Sequence, residues 1–188
     1  MRVYVIRHGE SENNIKKVHS GWDDVQLTEK GIADAKKAGK FLEGISFDKV
    51  YSSDLQRAIN TMKTAINPDE YEITEILRER NFGTLEGTRF VDASDDDIQY
   101  MRKFGYDKWG GEANKEFRER VKRFMQKKLE TLDCENVAVF CHAGWLREML
   151  GIVLDTDISA RHIYCNNCTI SIYEYINNNW KLHSWINL

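Results

Sequence analysis

An arginine and a histidine stand side by side where the apolar run Val3-Tyr4-Val5-Ile6 stops, in the order Arg7-His8-Gly9-Glu10-Ser11. A guanidinium grips phosphate oxygens in a planar fork, and an imidazole can attack phosphorus, so the pair suits a phosphorylated ligand. The β-type run ahead of them predicts a strand whose carboxyl end carries both groups. Open α/β sheets bind ligands at that edge. The theme returns twice. In Ser52-Ser53-Asp54-Leu55-Gln56-Arg57-Ala58 a second arginine falls just after a strand-like run, and in Val139-Phe140-Cys141-His142-Ala143-Gly144 a second histidine ends another. Taken singly, Arg57 reads as a surface arginine and His142 as a packed ring. Converging on one sheet edge, the charged members would repel one another. A phosphate carrying about −1.5 to −2 charges near neutral pH relieves that repulsion.

A carboxylate comes from Leu77-Arg78-Glu79-Arg80-Asn81-Phe82-Gly83-Thr84-Leu85-Glu86-Gly87. Gly83 and Gly87 predict a tight loop, anchored by Phe82 and Leu85. Glu79 reads equally as a general acid, since a carboxyl partly drawn out of water keeps its proton more readily, and as a surface partner of Arg78 or Arg80.

These groups need a scaffold. Strand-like runs lie at Arg2–Ile6, Lys49–Tyr51, Tyr71–Thr74, Val137–Cys141, Thr169–Tyr175 and Trp180–Trp185. Helical patterns fall between them at Thr28–Leu42, Asp54–Ala65, Ala113–Leu132 and Gly144–Leu154, the first opened by a capping threonine. Alternation of this kind predicts an α/β fold, a three-layer α/β/α arrangement around a mixed, mostly parallel sheet. The last two runs, flanking Ile176-Asn177-Asn178-Asn179, predict an antiparallel hairpin at its edge. Residues 1–188 read as a single domain. Within it, 88–111 reads as a short cap insertion, where Asp95-Asp96-Asp97 marks a helix start and a solvated face.

With 188 residues, 41% hydrophobic, 30% charged and a net charge of −3, the chain has the composition of a soluble globular domain. Mild acidity argues against nucleic-acid binding. No apolar run approaches the roughly 20 residues a membrane span needs, and no secretory pattern opens the chain, so a cytoplasmic location is expected. Cys134, Cys141 and the pair in Cys165-Asn166-Asn167-Cys168 lack a second ligand pair at zinc spacing and read as structural thiols.

Together these blocks resemble the histidine phosphatase superfamily, in the branch that contains phosphoglycerate mutases and phosphatases such as α-ribazole phosphatase. The resemblance runs from residue 3 to about 150 and also takes in Asn14, Gly21-Trp22 and Leu27 through Gly31. It implies a six-stranded mixed sheet, no metal or other cofactor, and a small phosphorylated metabolite as the partner. It implies that His8 is the nucleophile and Glu79 the proton donor, that Arg7, Arg57 and His142 hold the phosphoryl group, and that Asn14 adds a hydrogen bond. Ser11, Ser20, Gly21 and Phe82 match positions lining the substrate end, and Ala143 and Trp145 follow the second histidine. Trp22, Trp109 and Trp145 are candidates to rim the pocket, Trp145 foremost. In this mechanism a neutral His8, its other nitrogen bonded to a backbone carbonyl, attacks in line, while Arg7, Arg57 and a cationic His142 stabilise the transferring oxygens. The short stretch from Thr88 to Trp109, leading to Gly110-Gly111-Glu112 and Phe117-Arg118-Glu119-Arg120-Val121, favours a phosphatase. Arg89, Arg102, Lys103 and Lys108 keep a mutase, with its second anion grip, as an alternative. A non-catalytic phospho-ligand sensor and a zinc hydrolase are further rivals.

Overall fold

In an extended chain, alternate side chains face opposite ways, so Val3 and Val5 point to one layer and Tyr4 and Ile6 to the other, with all four buried. The computed structural model, which describes residues 1–156 and 162–188, makes this run β1 (Arg2–Arg7). With β2 (Lys49–Ser52), β3 (Glu72–Ile73), β4 (Asn136–Cys141), β5 (Ile170–Ile176) and β6 (Asn179–Ile186), it builds a six-stranded sheet ordered β3-β2-β4-β1-β5-β6. The first four strands in that order run parallel, while β5 is antiparallel to β1 and to β6. The expected mixed, mostly parallel sheet is present. Asn177 and Asn178 at the hairpin tip have φ of 51° and 59°, the left-handed pair that a tight hairpin turn demands and that asparagine tolerates.

Six helices complete the described fold: α1 (Glu12–Lys16), α2 (Glu29–Leu42), α3 (Gln56–Ala65), α4 (Asp95–Lys103), α5 (Asn114–Phe124) and α6 (Ala143–Val153). Ala35, Ala38 and Leu42 of α2 and Met62 of α3 pack with Tyr4, Ile6 and Phe140 on one face. On the other, Phe117, Val121 and Phe124 of α5 and Leu146 and Met149 of α6 pack with Val3, Val5 and Val139. Each fully buried apolar side chain contributes about 1.5–3 kcal/mol, so the two-sided burial of β1 and β4 stabilises the centre of the sheet from both layers.

Sequence and structure part company at several element ends. The helix expected from Asp54 starts at Gln56, because Asp54 instead accepts from the guanidinium of Arg78 at 2.9 and 2.5 Å. The helix expected to run to Leu132 changes pitch after Phe124 into a π-helical turn, Met125–Leu129. That extra residue per turn keeps Met125 and Leu129 on the buried face. The short α1 follows the Arg-His-Gly loop without any apolar periodicity to announce it. Between the Glu79 loop and α5, Ser94 caps α4 by accepting from the Asp97 N–H at 3.1 Å, and Asp95, Asp96 and Asp97 form its first turn.

Candidate active site

The register of the sheet brings three strand ends level. Arg7 lies opposite Cys141, and Ser52 opposite Phe140. The next residues, His8, Ser53 and His142, therefore emerge together, with the His8 N–H donating to Cys141 O at 3.0 Å and the Ser53 N–H to Phe140 O at 2.9 Å. The rings of His8 and His142 sit with centroids 5.2 Å apart. His8 lines a cavity of about 1150 Å³ together with Arg7, Arg57 and Glu79, while His142, fully buried, is not part of that wall.

His8 is 4% exposed, and its Nδ1 lies 2.7 Å from Gly9 O. A carbonyl only accepts, so Nδ1 carries the proton and Nε2 keeps its lone pair. Burial pushes the imidazole well below the usual histidine range, helped by the Arg57 and Arg7 charges. The ring is neutral, as a nucleophile must be.

His142 departs from the expectation of a cation. Burial, then Arg57 and His8, hold it well below the usual range, so it too is neutral. Its Nε2 is 2.9 Å from Ser53 Oγ, and that oxygen already accepts from the Leu55 N–H at 3.4 Å. A hydroxyl that donates to Nε2 leaves the proton on Nδ1, which has no partner among the described residues. His142 is thus placed to offer a neutral N–H.

Arg57 is fully buried on the first turn of α3. Its Nη1 and Nη2 donate to Asp23 O at 2.6 Å and Gly21 O at 2.7 Å, while its Nε is unpartnered. Burial lowers its pKa to about 10, still high enough to remain charged at neutral pH. Arg7 donates through Nη1 to Cys165 O at 2.5 Å, its Nε likewise lacks a partner, and burial lowers its pKa. Two charged arginines, each with an unspent Nε donor, flank a neutral nucleophile. An oxyanion is the ligand that completes such a set.

Glu79 reaches this site from the loop after Leu77. Its Oε2 accepts from the Gly144 N–H at 3.0 Å, one of the orphan donors at the start of α6, and its Oε1 from the Arg80 N–H at 2.8 Å. Position 144 must be glycine for this approach, because a Cβ there would collide with Glu79 Oε1.

Asn14, Ser20, Gly21, Phe82 and Ala143 line the cavity. Asn14 Oδ1 accepts from the Ser11 N–H at 3.1 Å and from Asn167 Nδ2 at 2.9 Å. Ser11 itself is fully buried behind the wall at the start of α1. Trp145 requires a correction. The second residue after Gly144's neighbour Ala143, it points with Leu146 and Met149 into the core, is 0% exposed and packs edge-on against Phe124. One helical step, about 100° per residue, carries it away from the cavity that Ala143 and Gly144 face. Trp22 and Trp109 also lie outside the cavity wall. Trp22 Nε1 donates to Glu79 O at 2.9 Å beneath the Arg78 guanidinium, and Trp109 packs edge-on against Tyr100.

Some contributors went unrecognised in the sequence. Ser53 orients His142, and the Cys165–Cys168 segment closes over the nucleophile, with the Cys168 N–H and Asn167 Nδ2 both 3.3 Å from His8 O. Arg147 of α6 joins the cavity wall with its Nε unpartnered. Among the described residues no three His, Cys, Asp or Glu side chains gather to hold a metal, and no helix is long and apolar enough to cross a membrane.

The two depressed imidazoles make stability depend on pH. Below the ordinary histidine pKa of about 6.5 the unfolded chain takes up protons that folded His8 and His142 refuse. Their contribution is complete above that value and is lost as pH falls toward the lower folded values. The expected result is a lower thermal midpoint at about pH 5.5 than at about pH 7.5, with a smaller difference in His142→Asn.

Comparison with known proteins identifies the family. A broad-specificity phosphatase of Saccharomyces cerevisiae is 30% identical over 188 residues, covering 94% of this chain and 80% of that protein. A 2,3-bisphosphoglycerate-dependent phosphoglycerate mutase of Cytophaga hutchinsonii is 33% identical over 159 residues, 79% of this chain and 75% of the mutase. The crystal structure of the alpha-ribazole phosphatase from Shigella flexneri superposes with a TM-score of 0.88 at 25% identity, covering 98% of this chain and 96% of that one. The profile of the histidine phosphatase superfamily (branch 1) matches residues 3–188, and the chain belongs to that superfamily.

Proposed function

We propose that residues 1–188 act as one phosphomonoesterase domain that hydrolyses a small phosphorylated metabolite through a phosphohistidine on His8, without a metal ion. The observation that carries this reading is the free Nε2 of a neutral, buried His8 between two charged arginines. His8 Nε2 forms a bond to phosphorus as the bond to the ester oxygen breaks, and protonated Glu79 gives its proton to that oxygen. The Glu79 carboxylate then takes a proton from water as the water oxygen attacks phosphorus and His8 leaves. Arg7, Arg57 and the N–H of His142 stabilise charge on the three transferring oxygens. Residues 88–111 form the cap, placing Phe90, Val91, Ile98 and Met101 along one side of the cavity.

A mutase is the second reading, favoured by Lys17, Arg102 and Lys103 in the cavity wall. Two other candidates for a second grip are elsewhere: Lys108 is paired with Asp97 at 2.8 Å, and Arg89 lies outside that wall. Incubation with phosphoglycerates, with and without 2,3-bisphosphoglycerate, separates the readings. Release of inorganic phosphate that exceeds isomerisation is the expected outcome, and the reverse would make the protein a mutase.

The role of Glu79 has its own signature. Glu79→Gln is expected to lose about 100- to 10,000-fold in kcat/KM on alkyl phosphates, whose leaving oxygen needs a proton. The loss on p-nitrophenyl phosphate should be far smaller. Equal losses on both esters would remove Glu79 from the role of acid.

A further inference from the structure

Gly110-Gly111-Glu112 and Arg120 contribute nothing to the wall around the phosphoryl pocket, yet they meet directly beneath the Glu79 loop. The Arg120 fork binds Glu112 through Nε and Nη2, both at 2.7 Å. Its remaining donors go to three carbonyls of the loop, Ile76 O at 2.9 Å, Arg78 O at 2.8 Å and Glu79 O at 3.1 Å. Glu112 Oε2 also accepts from the Asn81 N–H at 2.8 Å, and the Glu112 N–H donates to Asn81 O at 2.9 Å. One ion pair therefore holds the backbone on both sides of Glu79. Gly111 permits that contact, since a Cβ there would stand 2.5 Å from Asn81 O.

A lysine could not do this. The job needs donors spread over a rigid plane, aimed at three carbonyls and locked by a bidentate carboxylate. Both side chains are mostly buried, at 15% and 17% exposure, so the pair is only weakly screened. The other ties near Glu79 are made by side chains on its neighbours and on its own carbonyl: Trp22 Nε1 on the Glu79 carbonyl, Asp54 on Arg78, and Glu148 and Asn114 on Arg80. The carboxyl end of Glu79 is held by backbone N–H groups of Arg80 and Gly144. Where the loop backbone sits decides whether that carboxyl reaches a leaving oxygen.

We infer that Arg120, oriented by Glu112, is the positioning residue for Glu79, fixing the proton donor relative to His8. The inference rests on the reading of Glu79 as that donor. A displacement of about 1 Å in a catalytic group can cost roughly 100-fold.

The test compares Arg120→Lys, Arg120→Gln and Glu112→Gln with Glu79→Gln, on an alkyl phosphate and on p-nitrophenyl phosphate. Arg120→Lys is expected to lose about 100-fold in kcat/KM on the alkyl ester and much less on the nitrophenyl ester. The ratio of the two rates does not depend on the folded fraction, so a partly unfolded variant still gives an answer. In a Glu79→Gln background, Arg120→Lys should remove little further activity on either ester, because the two act through one proton. Equal losses on both esters, or full additivity in the double variant, would reduce Arg120 to a scaffold residue. Should Glu79→Gln itself show no leaving-group dependence, the inference and the reading beneath it would fall together.

Discussion

His8→Ala is expected to abolish turnover, with kcat falling by about 10⁴-fold or more, the scale seen when an enzyme loses its covalent nucleophile. The wild-type route breaks one displacement into two, and each uses the Nε2 lone pair that the Gly9 carbonyl leaves exposed by engaging Nδ1 at 2.7 Å. Without the ring, water would have to attack the ester directly. Arg7 and Arg57 remain, so the variant should still bind inorganic phosphate or vanadate, and loss of rate without loss of anion binding marks a missing nucleophile. Acid-labile phosphate on His8 should appear in wild-type enzyme quenched during turnover. A burst with the label elsewhere would overturn the mechanism. Wild-type activity no greater than that of His8→Ala would instead favour a phospho-ligand sensor.

Much of the scaffold could be read from side-chain period alone. The buried runs at residues 3–6 and 137–141 have apolar residues on both faces, as only central strands do, and they lie in β1 and β4. The four parallel strands and the edge hairpin follow the alternation of runs. What period could not reveal were features decided by tertiary partners. Asp54 has a helix-start composition but is drawn off by Arg78. The π-helical turn after Phe124 answers to packing against the sheet and has no local sequence signal.

The candidate site was legible where chemistry demands particular residue types at strand ends, and opaque where neutral residues do the positioning. Arg7, His8, Arg57 and His142 announce themselves because charged or nucleophilic groups there need a reason. The carbonyl that fixes the His8 tautomer was anticipated, although its identity as Gly9 O needed coordinates. The charge on His142 was misjudged because burial, the dominant influence on it, is a property of the packed fold. Trp145 was misplaced for a related reason. Its nearness to His142 in the chain says nothing about which side of α6 it occupies. Ser53 and Asn167 carry no chemical signature of their own, and their roles arise from what they touch.

Arg57→Gln should lose about 100- to 1000-fold in kcat/KM, the range for removing one preorganised donor from a developing oxyanion. A second effect makes this variant diagnostic. Arg57 is the largest influence after burial in holding both His8 and His142 down. Removing its charge lets both imidazoles rise toward the ordinary value of about 6.5. Rate depends on neutral His8, so wild-type kcat/KM should persist as pH falls through that value and decline only well below it. In Arg57→Gln the same acid limb should move to higher pH, because a raised pKa means protonation sooner on acidification. Arg57→Lys restores a charge without the fork that binds the Gly21 and Asp23 carbonyls. It should therefore return the acid limb toward its wild-type position while recovering only part of the rate. An unshifted limb in Arg57→Gln would mean that burial alone keeps His8 neutral, leaving Arg57 to act on the phosphoryl oxygens only.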